Sequence, residues 1–251
     1  MPVILVALLF SQINCQFEVK KKRLDGLWFF THSSGAIEND NAEANPANFL
    51  YLQPDNTYTR DFKKFEYGHW ERNDSVLLLT NNQKITFSFP IKFVSGNELE
   101  LISAEGTILS FEKQPAKFSS PADNPFSAEN NQWRIPAVKK ENDQDLRRRL
   151  KNHFRFHEAY FKWALDAKLQ SIDVRSTPSL MKIYGNGFAL KNFEELPASW
   201  RSYFYDEGDC QKANNMIKDI FEKRDIAWAL TDNRYKMFIS AFQQLGQKVS
   251  Q

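Results

Sequence analysis

The feature that most constrains the fold is a change of hydrophobic period about halfway along the chain. Between residues 26 and 113, eight short runs alternate apolar and polar side chains, as strands with one buried face do. From Asp143 onwards the apolar residues instead recur every three or four positions, which is typical of helices. The sequence therefore predicts an α+β protein, in which an all-β module precedes a mainly helical module.

The eight predicted strands are joined by short connections that carry turn-forming residues, such as Pro54-Asp55-Asn56 and Ser95-Gly96-Asn97. Connections this short give an antiparallel meander, because a parallel crossover needs about a dozen residues or more. Such a meander has two exposed edges unless it closes on itself. We therefore expect an eight-stranded antiparallel barrel, with strands at residues 26–32, 48–53, 57–62, 65–72, 75–80, 85–94, 98–103 and 107–113.

The clearest strand is the run from Ile85 to Phe93, in which every odd position is apolar. Pro90 lies on its polar side and lacks an N–H, which indicates an edge, a bulge or a gap in the pairing. We expect the apolar positions to line the barrel interior, which either encloses a small ligand or is filled by side chains. The expected ligand-binding residues are Phe49, Tyr51, Phe87, Phe89, Phe93, Leu99 and Leu101, with Ile91 beside them and Leu50 and Leu52 as the alternative to Phe49 and Tyr51.

Two short motifs carry a resemblance to a known family. Gly26-Leu27-Trp28 opens the first strand, and Tyr67-Gly68-His69-Trp70-Glu71 runs into Ser75-Val-Leu-Leu-Leu79. On these residues the β module resembles the small lipocalin-like domains of secreted bacterial proteins, over about 90 residues. The resemblance implies that Gly26 and Trp28 form a structural motif, with Trp28 packing the closed end of the barrel. It also implies a ligand-binding role for the interior.

The N-terminus predicts an extracytoplasmic location, periplasmic or secreted. Residues 3–10 are all apolar and residues 11–16 are mostly polar, a pattern that favours a signal peptide over residues 1–16. Eight apolar residues are too few for a bilayer crossing, which needs about 20. An N-terminal strand or the start of a buried helix is the alternative. Contact with a membrane is expected only if Cys15 is lipidated, as in an outer-membrane lipoprotein.

The remaining chain divides into three predicted parts: the barrel at residues 17–113, a linker at 114–142 and a helical domain at 143–251. The linker contains four of the ten prolines, and Trp133 and Ile135 are expected to anchor it to a domain surface. The helical domain is predicted to begin with a long helix from Asp143 and to end with helices at about 209–224 and 232–246.

His153 and His157 are the best candidates for chemistry. Their spacing of four residues places two imidazoles on one helical face, which could hold Zn²⁺ or iron. No third ligand can be named, and aromatic neighbours favour two core histidines instead. We therefore predict no cofactor and no enzymatic activity, with a metal enzyme at this pair as the weaker alternative. A formal charge of +2 and the lack of a recognisable module predict no nucleic-acid partner.

Two functions fit these features. The first is a non-enzymatic binding protein whose barrel holds a small lipophilic ligand. The second is an interaction or scaffold module, with a solid barrel and a helical domain that docks on a protein partner. The second reading is motivated by the aromatic-rich helical half, which includes Trp163, Trp200 and Trp228.

Overall fold

The computed structural model describes residues 23–34, 49–62, 64–168, 190–223, 226 and 233–250. Within these ranges the predicted α+β organisation is confirmed: eight strands come first and helices follow. The strands match the sequence expectation to within two residues at nearly every end. They are β1 Gly26–Ser34, β2 Phe49–Leu52, β3 Thr57–Phe62, β4 Lys64–Asn73, β5 Val76–Asn81, β6 Thr86–Val94, β7 Glu98–Ile102 and β8 Ile108–Gln114.

The strands form a closed antiparallel barrel in sequence order, and closure is made by β1 pairing with β8. Closure pairs the two strands that would otherwise be the edges of the meander, which is the reason we expected it. Two irregularities interrupt the pairing, one in β1 between Phe30 and His32 and one in β6 between Ile91 and Phe93. The second follows Pro90, where the sequence predicted an edge, bulge or gap, and β6 pairs with β7 only from Ile91 onwards.

The described part of the helical half contains four α-helices. The long first helix begins after Asn142, whose side chain accepts a hydrogen bond from the backbone N–H of Asp145 at 2.9 Å. Asp143 and Asp145 in its first turn suit the positive end of the helix dipole. The helices are α1 Asp143–Asp166, α2 Ala198–Arg201, α3 Glu207–Glu222 and α4 Arg234–Lys248.

The segment between barrel and helices is packed rather than free. It contains two short 3₁₀ helices, Pro121–Asp123 and Glu129–Arg134, and it buries Phe126 and Trp133. Arg134 fastens it to the barrel, because its Nη1 lies 2.6 Å from Oδ2 of Asp61 and its side chain is only 2% exposed. The buried Trp133 ring lies in the core of the helical half, so this residue anchors the linker, as expected.

Two hydrophobic clusters organise the molecule. One fills the barrel interior and contains Trp28, Tyr58 and Phe111. The other joins the outer face of β1 and β2 to the linker and to α1, α3 and α4. In this second cluster the Phe126 ring lies 5.0 Å from Phe49 and 4.8 Å from Trp163, centroid to centroid. The barrel and the helices thus share one continuous apolar interface.

Candidate functional site

The end of the barrel where β1 begins and β2 ends is called the lower end, and it is closed by Trp28. Its indole Nε1 donates a hydrogen bond to the carbonyl oxygen of Leu24 at 2.7 Å, and the Nζ of Lys113 lies 5.0 Å from the centre of its ring. Lys113 in turn donates to the carbonyl oxygen of Asp25 at 2.9 Å. Gly26 has a φ of +146°, a conformation that residues with a Cβ rarely adopt. This end of the barrel is therefore sealed by a fixed set of contacts.

Above Trp28 the interior is filled with side chains. Tyr58 belongs to this group, and burial raises the pKa of its hydroxyl to about 12, so the group is neutral at physiological pH. Large buried side chains leave little room for a deep chamber in a barrel of this size. The buried inward-facing residues are Leu24, Trp28, Leu50, Leu52, Tyr58, Leu77, Leu79, Leu99, Leu101 and Phe111.

The upper end, where β1 ends and β2 begins, is different. We call this region the barrel mouth and define it by Phe30, Phe62, Phe87, Phe89 and Leu109. These side chains pack on the interior cluster but are only partly buried. Phe30 and Phe62 both contact the buried Phe111 edge-on, with centroid distances of 5.8 and 5.6 Å. The mouth is therefore a shallow aromatic cup above a filled floor.

A charged pair lies on the wall of this cup. The Nε of Arg60 donates to Oε2 of Glu66 at 2.7 Å, and both side chains are largely buried, with 11% and 17% exposed. The guanidinium carbon of Arg60 lies 4.3 Å from the centre of the Phe87 ring and 5.8 Å from that of Phe89. Because the pair is neutral overall and rests on aromatic rings, the cup keeps an apolar character.

Sequence reasoning did not single out Arg60 or Glu66. A signal for them exists: Arg60 lies between Tyr58 and Phe62 at the inward parity of β3, and Glu66 is its partner across β4. Two opposite charges at paired inward positions indicate an internal ion pair.

Three of the predicted ligand-binding residues turn out to be placed differently from the rest. Phe49 and Tyr51 face outwards and belong to the cluster shared with the helices, while Leu50 and Leu52 face the interior. The register thus selects the alternative pair. Phe93 is 45% exposed on the outside, because the irregularity after Ile91 reverses the alternation.

The other predicted liners lie together at the interior. Leu99 and Leu101 are buried in its core, and Phe87 and Phe89 stand at the mouth. Whether any of them contacts a ligand stays a prediction.

His153 and His157 lie in the core of the helical half. Their ring centroids are 4.4 Å apart, and Trp133, Trp200 and Phe242 surround them at 4.7 Å, 4.9 Å and 4.6 Å from one or other ring. Burial lowers the pKa of both, that of His157 to about 3, so both are neutral at physiological pH. Across the described ranges no group of three His, Cys, Asp or Glu residues is arranged to hold a metal ion. The described residues therefore supply no third ligand for a metal ion at His153 and His157.

Other sequence features have ordinary structural roles or lie outside the described residues. Trp163 and Trp200 are buried, so these two rings form core rather than an exposed patch. Cys210 is a free, buried thiol whose pKa is raised to about 11 by burial. The signal peptide, Cys15 and Trp228 lie outside the described residues. So do residues 35–47 of the long polar connection 33–47, which the sequence suggests as a cover for one end of the barrel. None of the described helices combines the length and apolar character needed to cross a bilayer.

Among the clefts lined by described residues, three lie outside the barrel interior and are compared by volume. The largest, of about 420 Å³, lies between β3, β4 and the Glu129–Arg134 3₁₀ helix. The other two, of about 240 and 150 Å³, border the linker and α1. Only the largest falls in the range of roughly 300–1,000 Å³ that is usual for small-molecule sites.

The fold and these sites define an α+β protein with a closed eight-stranded barrel and a packed helical half. No protein-family model matches the chain, and no curated protein matches it. Among solved structures it is similar to an uncharacterized protein from Bacteroides eggerthii DSM 20697. The identity is 13% and the TM-score 0.26, over 36% of this chain and 98% of that one. A similarity at this level supports no conclusion about function.

Proposed function

We propose that this protein is a non-enzymatic binding protein that takes a small apolar ligand, or the apolar end of a larger one, at the barrel mouth. One observation carries the proposal. The inward-facing rings at the mouth are partly exposed, whereas the rings of Trp28, Tyr58 and Phe111 below them are buried. When a ligand covers apolar surface that is exposed at one end of a barrel, the free energy of binding becomes more favourable by about 25 cal/mol per Å² of covered surface.

The register of β6 supports the same proposal. Thr86 to Pro90 pair with β5 but have no partner on β7, whose pairing begins at Ile91. Phe87 and Phe89 therefore lie on the part of β6 that extends beyond its pairing with β7, at the rim of the mouth. The proposed site is shallow, because Leu101 and Phe111 fill the space beneath it.

Two features of the sequence extend the proposal. The Gly26 and Trp28 motif resembles that of lipocalin-like domains, which suits a binding role, and residues 3–16 suit an extracytoplasmic location. Partner docking by the helical domain remains the alternative proposal. The burial of Trp163 and Trp200 takes away part of its motivation.

Titration with the neutral fluorophore N-phenyl-1-naphthylamine tests the proposal. Phe89→Ser and Phe93→Ser form a matched pair on one strand, since Phe89 stands at the mouth and Phe93 on the outer surface. The parent protein is expected to bind the probe saturably. Phe89→Ser is expected to weaken binding about tenfold, which corresponds to about 1.4 kcal/mol of lost apolar contact.

Phe93→Ser is expected to leave the probe's Kd within about twofold of the parent value. Absence of saturable binding by the parent protein would contradict the proposal. So would equal weakening by the two variants, because the probe would then contact the outer surface.

A further inference from the structure

The largest cleft, between the barrel and the linker, carries an inference independent of the mouth. We propose that it is a second binding site, and that its ligand is a neutral, hydroxyl-rich molecule such as a saccharide. The cleft has a volume of about 420 Å³ and lies on the outer side of β3 and β4. Its opposite wall is the Glu129–Arg134 3₁₀ helix.

The two walls of the cleft are fixed relative to each other. The Thr59 hydroxyl donates a hydrogen bond to the carbonyl oxygen of Phe126, and the buried Arg134–Asp61 ion pair joins the same two segments at 2.6 Å. Breaking either link would leave a buried polar group without a partner, which is costly. The cleft is therefore preformed, and little conformational entropy is lost when a ligand enters.

A hydrogen-bonded network orders one side of the cleft. The Gln53 side chain donates to the Thr57 hydroxyl at 2.9 Å, and that hydroxyl donates to Oδ1 of Asp55 at 2.6 Å. The bonds from Thr57 hold the pKa of Asp55 below its ordinary value, so this side chain is an ionised acceptor at neutral pH. Asp55 is exposed in the cleft, so its carboxylate is accessible to a ligand hydroxyl.

The chemistry of the lining indicates the class of ligand. Of its 15 residues, only Gly68 and Ala128 lack a polar side-chain atom, so an apolar ligand would leave many polar groups without partners. The lining contains two carboxylates, of Asp55 and Glu129, and one lysine, Lys84. This excess of negative charge disfavours phosphates and other anions. The remaining groups are mainly hydroxyls and amides, which pair with ligand hydroxyls as both donors and acceptors.

Tyr67 adds an aromatic element to this polar lining. Its hydroxyl accepts a hydrogen bond from Nδ2 of Asn82 at 3.2 Å and keeps its own hydrogen as a donor. Its ring is partly buried against the core that the barrel shares with the helices. An aromatic body with a polar tip suits the mixed C–H and O–H surface of a sugar.

The test is a titration of isotope-labelled protein followed by NMR, with glucose, galactose, N-acetylglucosamine, maltose and cellobiose as probes. At least one sugar is expected to shift the amide signals of Thr57, His69 and Gln132 saturably. Asn82→Ala is expected to weaken that binding about fivefold through the loss of a polar contact. Asn97→Ala, on an exposed turn outside the cleft, is the matched control and is expected to change nothing.

The inference is overturned if no sugar of the panel shifts the cleft signals, or if inorganic phosphate shifts them and the sugars do not. Binding of N-phenyl-1-naphthylamine at the mouth is read separately in the same samples. Failure of one site therefore leaves the result for the other intact.

Discussion

At the scale of single residues, the ion pair between Arg60 and Glu66 is the most consequential polar contact of the barrel. It occupies the inner wall, where a charge without a partner would lie against Phe87. Removing one member of a buried ion pair costs roughly 3–5 kcal/mol, because the other charge is left in a poor environment. The pair therefore fixes the upper interior in one arrangement.

Glu66→Gln is predicted to lower the free energy of unfolding by about 2 kcal/mol, a value reduced from the buried case because both side chains retain some exposure. Urea unfolding monitored by circular dichroism measures this change. Glu100→Gln is the control, because Glu100 pairs with Lys92 at 3.3 Å on the surface, with 31% and 46% exposed. Its expected cost is below about 0.5 kcal/mol. Equal costs for the two variants would contradict an internal position for the Arg60–Glu66 pair.

The sequence predicted the inward parity of most strand residues but not all of them. In β6, alternation placed Phe87 and Phe89 correctly and failed at Phe93, because a bulge adds a residue without changing the hydrophobic pattern. In β2 every residue from Phe49 to Leu52 is buried, since both faces are covered. Such a strand has no apolar–polar alternation that could show which side chains face the barrel interior. Only the pairing register with the neighbouring strands decides this.

At the scale of elements, α1 is the core helix of the second half and carries both buried histidines. His157 donates from Nδ1 to the carbonyl oxygen of His153 at 2.9 Å and stacks on Phe242 with ring centroids 4.6 Å apart. Burial lowers the pKa of both histidines below the ordinary 6.5. In the unfolded chain the same groups regain that ordinary value.

This difference predicts acid sensitivity. As the pH falls below 6.5 the unfolded chain binds protons at these positions while the folded chain does not, so stability decreases. Each histidine contributes a loss of about 1.4 kcal/mol per pH unit. For His157 the loss continues down to its folded pKa of about 3.

His157→Phe is predicted to reduce the pH slope of the unfolding free energy by about 1.4 kcal/mol per unit between roughly pH 6 and 4. Urea titrations of the parent protein and the variant at several pH values measure the two slopes. Because all other titrating groups are common to both proteins, the difference belongs to His157. Identical slopes would show that this imidazole is protonated in the folded state.

The sequence predicted the elements well, because each is encoded locally. The strands follow from period-two alternation bounded by turn residues, and α3 begins at Glu207, two residues before its predicted start at about 209. The start of α4 is predicted at about 232, and the helix begins after Asn233, whose side chain accepts from the backbone N–H of Tyr235 and Lys236. Several polar residues in a row can each cap a helix, so the choice depends on tertiary contacts.

At the scale of the whole molecule, the barrel and the helices are joined through the linker by a shared aromatic core. Phe126 is central to it, with its ring close to Phe49 of β2 and to Trp163 of α1. A residue that both halves contact couples their stabilities. We therefore expect the two halves to unfold in one cooperative transition.

Phe126→Leu is predicted to destabilise both halves by about 1–2 kcal/mol, through lost ring contacts and a partly filled cavity. Native-state hydrogen exchange measures this locally, and the protection of amides in β5 and in α1 is expected to fall by the same free energy. Phe93→Leu, on the outer surface, is the control and is expected to leave both unchanged. A loss confined to α1 would contradict the coupling.

The packing of the linker between the barrel and the helices could not be derived from the sequence. Proline content marked residues 114–142 as a linker, yet Phe126 and Trp133 are buried within the structure. A segment with an irregular backbone has the amino-acid composition of a loop even when it is packed in a core. Only its few aromatic residues indicate that it is buried. The cleft between barrel and linker was hidden for the same reason, since its walls come from segments far apart in sequence.

The proposed binding role depends on a barrel that is filled with side chains below and open at the mouth. Crystals of the protein soaked with a brominated N-phenyl-1-naphthylamine check this, because the anomalous signal of bromine locates the probe. We expect a bromine peak in contact with Phe62 and Phe89, above an undisturbed Trp28 and Leu52. A probe found only outside the barrel, with the mouth unoccupied, would contradict it.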